Sequence, residues 1–293
     1  MLRMLPEYKN ASLLRSRDGD KLEQCDIIVD VQGKYDGVKH FDHHQRGFQE
    51  TFSSSFKTKL SSAGLVYKHF GQDIISSHLQ LSPTDTPIQV LYNKIYVDMI
   101  EALDANDNGV SAFPGCTPLF KEKALNLPSQ VAALHPWWNE PNDDAEMDRR
   151  FELAVQLMGG VFKNRLEYLG KAWMPARDLV SRALSNRKGE IIIFEQSIPW
   201  KEHLFELERL NNIEGLIKYV IYSDGKSWRV QAVPIDSESF ESRKPLPEAW
   251  RGLRDEELAR KCRVANSAFV HASGFIGGNK TREGAIEMAE LAL

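Results

Sequence analysis

The run Ile27-Ile28-Val29, closed by Asp30, constrains this chain more than any other feature. Three consecutive β-branched apolar residues suit a strand covered on both faces, as in the parallel sheet of an α/β layer arrangement. A carboxylate at the carboxyl end of such a strand stands where open α/β sheets bind ligands. Gly33 and Gly37 then break the chain, and Phe41-Asp42-His43-His44 follows.

Carboxylate and neutral imidazole together suit manganese, magnesium or zinc better than they suit soft metals. An aspartate beside a histidine pair can fix an imidazole tautomer by accepting its second N–H. Taken singly, a strand-end aspartate is as often a turn former, and a histidine pair is more often structural than ligating. The order of the two, strand-end Asp30 and then Asp42-His43-His44, argues for a site.

Around this centre the pattern alternates between strands and helices. Ala11 to Arg15 and Gln24 to Val31 read as strands, and Ser61 to Leu81 as a helix. A second helix is expected from Pro87 to Leu103, with Ile88, Leu91, Ile95, Met99 and Leu103 on one face and Pro87 in its first turn. From Gly109 to Asn142 periodicity is lost and prolines collect at 114, 118, 128, 136 and 141, as in an excursion between helices. Asp143 to Lys171 then reads as a helix with Phe151, Val155, Met158 and Phe162 on one face, and Pro175 to Asn186 as another.

The composition changes at Lys188-Gly189. Strands are expected over Glu190 to Phe194, Leu216 to Tyr222 and Trp228 to Val233, the last two joined by the hairpin signal Asp224-Gly225. A further strand ends near His271, and Thr281 to Leu291 closes the chain as a helix. Two domains are therefore expected, 1–187 and 188–293. In the second, His271 to Thr281 reads as a glycine-rich turn before a helix. Gly277 and Gly278 would permit close backbone approach, and Lys280, Arg282 and the helix amides would attract phosphate. His203, Arg177 and Arg229 are weaker candidates, more simply read as packing or surface residues.

Composition excludes several classes. With 42% hydrophobic and 27% charged residues, the chain is neither disordered nor fibrous. It contains no run of the roughly 18–20 apolar residues a membrane span needs. A net charge of −4 argues against whole-surface nucleic-acid binding but leaves room for a local basic groove. Cys25, Cys116 and Cys262 are widely spaced and form no Cys-x-x-Cys pair, so neither a disulfide framework nor a cysteine zinc site is indicated.

Strand-Asp, Asp-His-His, then a helix ending in further aspartates is an order that resembles the DHH phosphoesterase superfamily. Longer words resemble one branch of it, the Myg (melanocyte proliferating gene) family. They are Tyr-Asp-Gly-Val-Lys-His-Phe-Asp-His-His-Gln-Arg-Gly-Phe (35–48), Thr-Lys-Leu-Ser-Ser-Ala-Gly-Leu-Val-Tyr (58–67) and Glu-Ala-Leu-Asp-Ala-Asn-Asp-Asn-Gly (101–109). Trp-Asn-Glu-Pro (138–141), Pro-Trp-Lys-Glu-His-Leu-Phe-Glu-Leu-Glu (199–208) and Phe-Val-His-Ala-Ser-Gly-Phe-Ile-Gly-Gly-Asn-Lys-Thr (269–281) belong with them.

The resemblance implies an α/β fold: a DHH-type parallel-sheet domain with a helical connector, then a smaller α/β substrate-binding domain. It implies a divalent-metal site for Mn²⁺ or Mg²⁺ and an RNA substrate degraded from its 3′ end. Asp30 would bridge two ions, His43 would be a ligand, His44 would contact the scissile phosphate, and Asp42 would orient its neighbours. A later acid closes the site, either Asp104, which continues the helix, or Asp107, whose Asp107-Asn108-Gly109 is similar to the superfamily's Asp-Thr-Gly. His271, Gly277, Gly278, Asn279 and Lys280 would hold the far end of the substrate. The same metal core serves phosphatases of small esters or pyrophosphate, and a fold without a full site would serve as a non-catalytic nucleic-acid-binding protein.

The resemblance further implies residence in the mitochondrion and the nucleus or nucleolus, or in the cytoplasm without an amino-terminal address. The family's first motif, His-x-Gly-x-Phe-His-x-Asp-Glu, is not found, and Met1 to Tyr8 resembles the helix that follows it. The expectation is that the sheet domain is incomplete at its amino terminus and that activity is impaired.

Overall fold

A computed structural model describes residues 1–82, 85–117 and 126–293. The chain divides into two compact units, Met1–Gly170 and Lys171–Leu293.

In the first unit α1 (Gly19–Leu22) precedes β1 (Ile28–Val29), which pairs in parallel with β2 (His40–Phe41). Ile28 and Phe41 are buried, while Ile27 and Val29 are only partly covered, so the apolar run marks a parallel strand that is fully buried on one face alone. It is much shorter than the span 24–31, because Asp30 takes a positive φ of 66° and Gln32 one of 79°, which turns the chain out of the extended region. The strand expected at Ala11 to Arg15 is absent: that segment has no ladder partner, and Leu13 and Leu14 are exposed.

α2 (Ser62–Leu79) is capped by Ser61, whose Oγ accepts from the Gly64 amide. α3 (Thr86–Ile95) runs through a π turn (Tyr96–Ile100) into α4 (Glu101–Asp107). Ile88, Leu91 and Ile95 are buried as the periodicity predicts. Beyond them the π turn inserts a residue and advances the buried face by one position. Ile100 and Asp104 are therefore buried where Met99 and Leu103 were expected, and these two are only partly covered.

Among the described residues the excursion after Gly109 holds one short helix, α5 (Leu127–Ala132); residues 118–125 lie outside them. α6 (Asp144–Tyr168) buries Phe162 and Leu166, while Phe151, expected on the covered face, is exposed.

The second unit opens on a π turn (Leu169–Trp173) whose first two residues belong to the preceding unit. α7 (Met174–Ser185) follows, then β3 (Ile191–Phe194), α8 (Lys201–Leu210), β4 (Tyr219–Ser223) and β5 (Trp228–Ala232). α9 (Asp255–Cys262), β6 (Ser267–Val270), β7 (Ile276–Asn279) and α10 (Arg282–Ala292) complete it. The sheet order is β3-β4-β5-β7-β6, with β3 and β4 parallel and the remaining pairs antiparallel.

One face of the sheet packs Ile191, Tyr219 and Val230 against Leu258, Ala285 and Met288. The other packs Ile192, Phe194 and Val220 against Val180, Leu184 and Leu204. Val180 and Leu184 lie in α7, so that helix joins the strands after it, although the change in composition falls near 187.

The glycine-rich stretch read as a turn is a turn only up to Phe275 and then a strand, β7. Gly277 and Gly278 lie in β7, paired on both sides. A Cβ on Gly277 would meet Leu246 Cδ1 at 2.9 Å, and one on Gly278 would meet Arg229 Nη1 at 2.7 Å. These glycines serve close packing inside a sheet.

Candidate metal centre

The carboxyl ends of β1 and β2 deliver the first site residues. Asp30 leaves β1 in the left-handed region, a sparsely populated conformation that an aspartate bears better than most residues and that is often retained at functional sites. Asp42 follows β2 directly and is buried. Its Oδ2 accepts from the Gly33 amide at 2.6 Å, and its Oδ1 accepts from the His44 amide at 3.1 Å and from His44 Nδ1 at 2.7 Å. Burial pushes this carboxyl up, but the bonds from the His44 ring and the two amides outweigh it and hold the group below the usual carboxylate range. Asp42 is thus an anion whose oxygens are already engaged.

His44 responds in the opposite sense. The hydrogen bond to Asp42 raises its pKa against the opposing effect of burial, and the charges of Asp42, Asp30 and Asp107 add to the rise. Its Nδ1 is committed to Asp42 and 60% of the side chain is exposed, so Nε2 is left as the ring's free nitrogen, a donor when the ring is protonated.

His43 is the enclosed member of the pair, its side chain 8% exposed. It stacks obliquely on His44, with ring centroids 4.2 Å apart. Its Nδ1 lies 3.2 Å from Ser62 Oγ and 3.8 Å from Asp30 Oδ1, and its Nε2 lies 3.3 Å from Asp107 Oδ2. A carboxylate therefore stands on either side of one imidazole. Asp30 and Asp107 are more than half exposed and, among the described residues, neither has a Lys or Arg ion-pair partner. Asp30, Asp42, His43 and His44 each bring a donor atom within 4.8 Å of the others. Hard oxygen donors grouped around an imidazole fit a divalent cation of the Mn²⁺ or Mg²⁺ kind. Asp42 is better suited to orient His44 than to ligate.

The two later aspartates part company. Asp107, at the end of α4, faces His43. Asp104 is fully buried one turn earlier and faces α2. Its Oδ1 accepts from the Ser61 amide at 2.9 Å and Ser61 Oγ at 2.7 Å, and its Oδ2 accepts from Tyr96 Oη at 3.1 Å. Burial pushes the Asp104 carboxyl up, against the hydrogen bonds that favour its anion. The sequence reading left Ser62 and Ser61 out of the site. Ser61-Ser62-Ala63-Gly64 carries a helix-start signal, but nothing local tells that His43 lies opposite it.

The carboxyl-terminal candidates do not converge on one loop. His271 is exposed in the turn before β7, with Nδ1 2.9 Å from Ser273 Oγ. Lys280 follows the far end of that strand, roughly 13 Å along at about 3.3 Å per residue. Asn279 is buried, its Nδ2 donating to the Ala265 carbonyl and its Oδ1 accepting from the Thr281 amide, while Thr281 Oγ1 caps the Gly284 amide. The amides at the start of α10 expected to attract phosphate are therefore partly engaged.

Fold and site together define a mixed α/β protein with a carboxylate–histidine centre suited to a divalent cation. The sequence profile of the uncharacterised protein family UPF0160, labelled MYG1_exonuc, matches residues 1–293. The chain belongs to this MYG1 family. It is 52% identical to the MYG1 protein C694.04c of Schizosaccharomyces pombe, over 100% of this chain and 91% of that protein. It is 48% identical to the MYG1 protein YER156C of Saccharomyces cerevisiae, over 100% and 90% of the two chains. The protein called MYG1 exonuclease in Homo sapiens is 45% identical over 100% of this chain and 81% of its own. No solved structure matches.

Proposed function

We propose that this chain is a metal-dependent 3′–5′ exonuclease acting on RNA, with phosphodiester hydrolysis at a DHH-type centre held by Asp30, His43 and Asp107. The observation that carries the reading is the placement of His43 between two exposed carboxylates that have no Lys or Arg ion-pair partner among the described residues, beside a hydrogen-bonded Asp42–His44 pair. The relatives named exonucleases support a nucleic-acid substrate. Among the described residues no helix is long and apolar enough to cross a membrane.

Divalent ions held there would supply a water of lowered pKa and neutralise phosphoryl charge. The protein's own part is positional. Ser62 orients the His43 ring, and the hydrogen bond to Asp42 favours the protonated form of the His44 imidazole, which would donate from Nε2 to a non-bridging phosphoryl oxygen. Two adjacent histidines thereby divide the labour between cation and substrate.

The test is digestion of single-stranded RNA labelled at the 5′ or the 3′ end, with Mn²⁺, Mg²⁺ or EDTA. Release of 3′-terminal mononucleotides only with metal is expected. Asp30→Asn, His43→Asn and Asp107→Asn are each expected to lose about 10²-fold or more, the scale of a lost transition-state contact. Hydrolysis that survives EDTA, or that occurs with pyrophosphate or a simple phosphate monoester but not with RNA, would overturn the reading.

A further inference from the structure

Asp104 is a fully buried carboxylate that the reading above gives no task. It binds both the amide and the hydroxyl of Ser61, the cap of α2, and it receives Tyr96 Oη from the π turn. Gly64 stands against it so closely that a Cβ there would lie 2.3 Å from Oδ1 and 2.4 Å from Oδ2. The carboxylate thus occupies space that only a glycine leaves open. The residue after the cap, Ser62, begins α2 and puts its Oγ 3.2 Å from His43 Nδ1. The π turn matters in turn, because without the extra residue the buried position would fall on Leu103 and Asp104 would not face Ser61.

We propose that Asp104 is a positioning residue: through Ser61 it fixes the first turn of α2, and through Ser62 it sets the orientation of His43 toward the metal. This deepens the metal reading and rests on His43 as a ligand. Partners that orient a ligating histidine typically govern about 10–100-fold in metal affinity, so the same range is expected of a carboxylate acting one step further back.

The test is Mn²⁺ binding, followed by electron paramagnetic resonance, in the full chain. It compares wild type, Asp104→Asn, Ser62→Ala, their double variant and Asp107→Asn. Asparagine keeps an acceptor for Ser61 and a group for Tyr96, so the fold should persist, as near-native circular dichroism would show. Asp104→Asn is expected to weaken Mn²⁺ binding roughly tenfold alone and not at all when Ser62 is already alanine, because both act along one line.

A second readout needs no metal. The His43 imidazole ¹⁵N resonances of the metal-free protein should move in the same direction in Asp104→Asn and in Ser62→Ala. A folded Asp104→Asn with native Mn²⁺ affinity and native His43 resonances overturns the proposal, as does a loss fully additive with that of Ser62→Ala. Absence of Mn²⁺ binding by the wild type would instead defeat the metal reading, and the His43 resonances would still decide the positioning role.

Discussion

At the residue scale the two histidines are alike in sequence and unlike in environment. His43 is enclosed between Asp30 and Asp107, whereas His44 is turned outward with Nδ1 bound to Asp42. Replacing His44 should therefore affect turnover rather than metal binding. His44→Asn is expected to lower kcat about 10²–10³-fold, the range for one lost donor to developing charge, with the Mn²⁺ affinity of the wild type. Weakened Mn²⁺ binding in that variant would place His44 among the ligands instead. The Asp42-His43-His44 word was legible in the sequence because its chemistry is contiguous. The choice between Asp104 and Asp107 was not, since both fit the end of a helix and only the phase of that helix separates them.

That phase belongs to the element scale, where local backbone irregularities set what faces inward. The helical period from Ile88 to Ile95 could be read directly, but a π turn has no periodic signature, and beyond it the predicted face was one residue out. The positive φ of Asp30 likewise cut β1 to two residues. Gly277 and Gly278 suggested a turn by composition, whereas β7 uses them to admit Leu246 and Arg229.

His203 shows an element holding a titratable group. It is buried in α8, its Nε2 donates to the Trp173 carbonyl at 2.8 Å, and among the described residues its Nδ1 has no hydrogen-bond partner. Burial lowers its pKa below the ordinary 6.5. Between those two values the unfolded chain takes up a proton that the folded one refuses, so stability rises with pH there. The contribution is complete above about 6.5 and is lost as pH falls toward the depressed folded value. The wild type is therefore expected to lose more stability than His203→Gln between pH 7.5 and 5, read as the shift in urea midpoint. An equal shift in both proteins would remove His203 as the cause.

At the scale of the whole molecule, the two units have separate means of stabilisation. The second unit has two apolar clusters on the faces of a five-stranded sheet. The first carries a two-stranded sheet and gathers Asp30, Asp42 and Asp107 around one histidine pair, and among the described residues Asp30 and Asp107 have no Lys or Arg ion-pair partner. Like charges collected without compensation destabilise a fold, and a bound cation relieves them. A ligand that binds only the folded state adds RT ln(1 + [L]/Kd), about 2.7 kcal/mol at a hundredfold excess over Kd. Calorimetry of the full chain should therefore show two transitions, since multidomain chains depart from two-state unfolding. Mn²⁺ should raise the transition of the first unit by several degrees and leave the other in place, and Asp107→Asn should abolish the shift. Assignment of the transitions follows from Gly277→Ala, whose Cβ meets Leu246 and the Phe269 carbonyl and should lower only the second, by about 1–3 kcal/mol of overpacking. A single transition that Mn²⁺ and Gly277→Ala both move would show that the two units unfold as one, and that the cation stabilises the molecule rather than its first half.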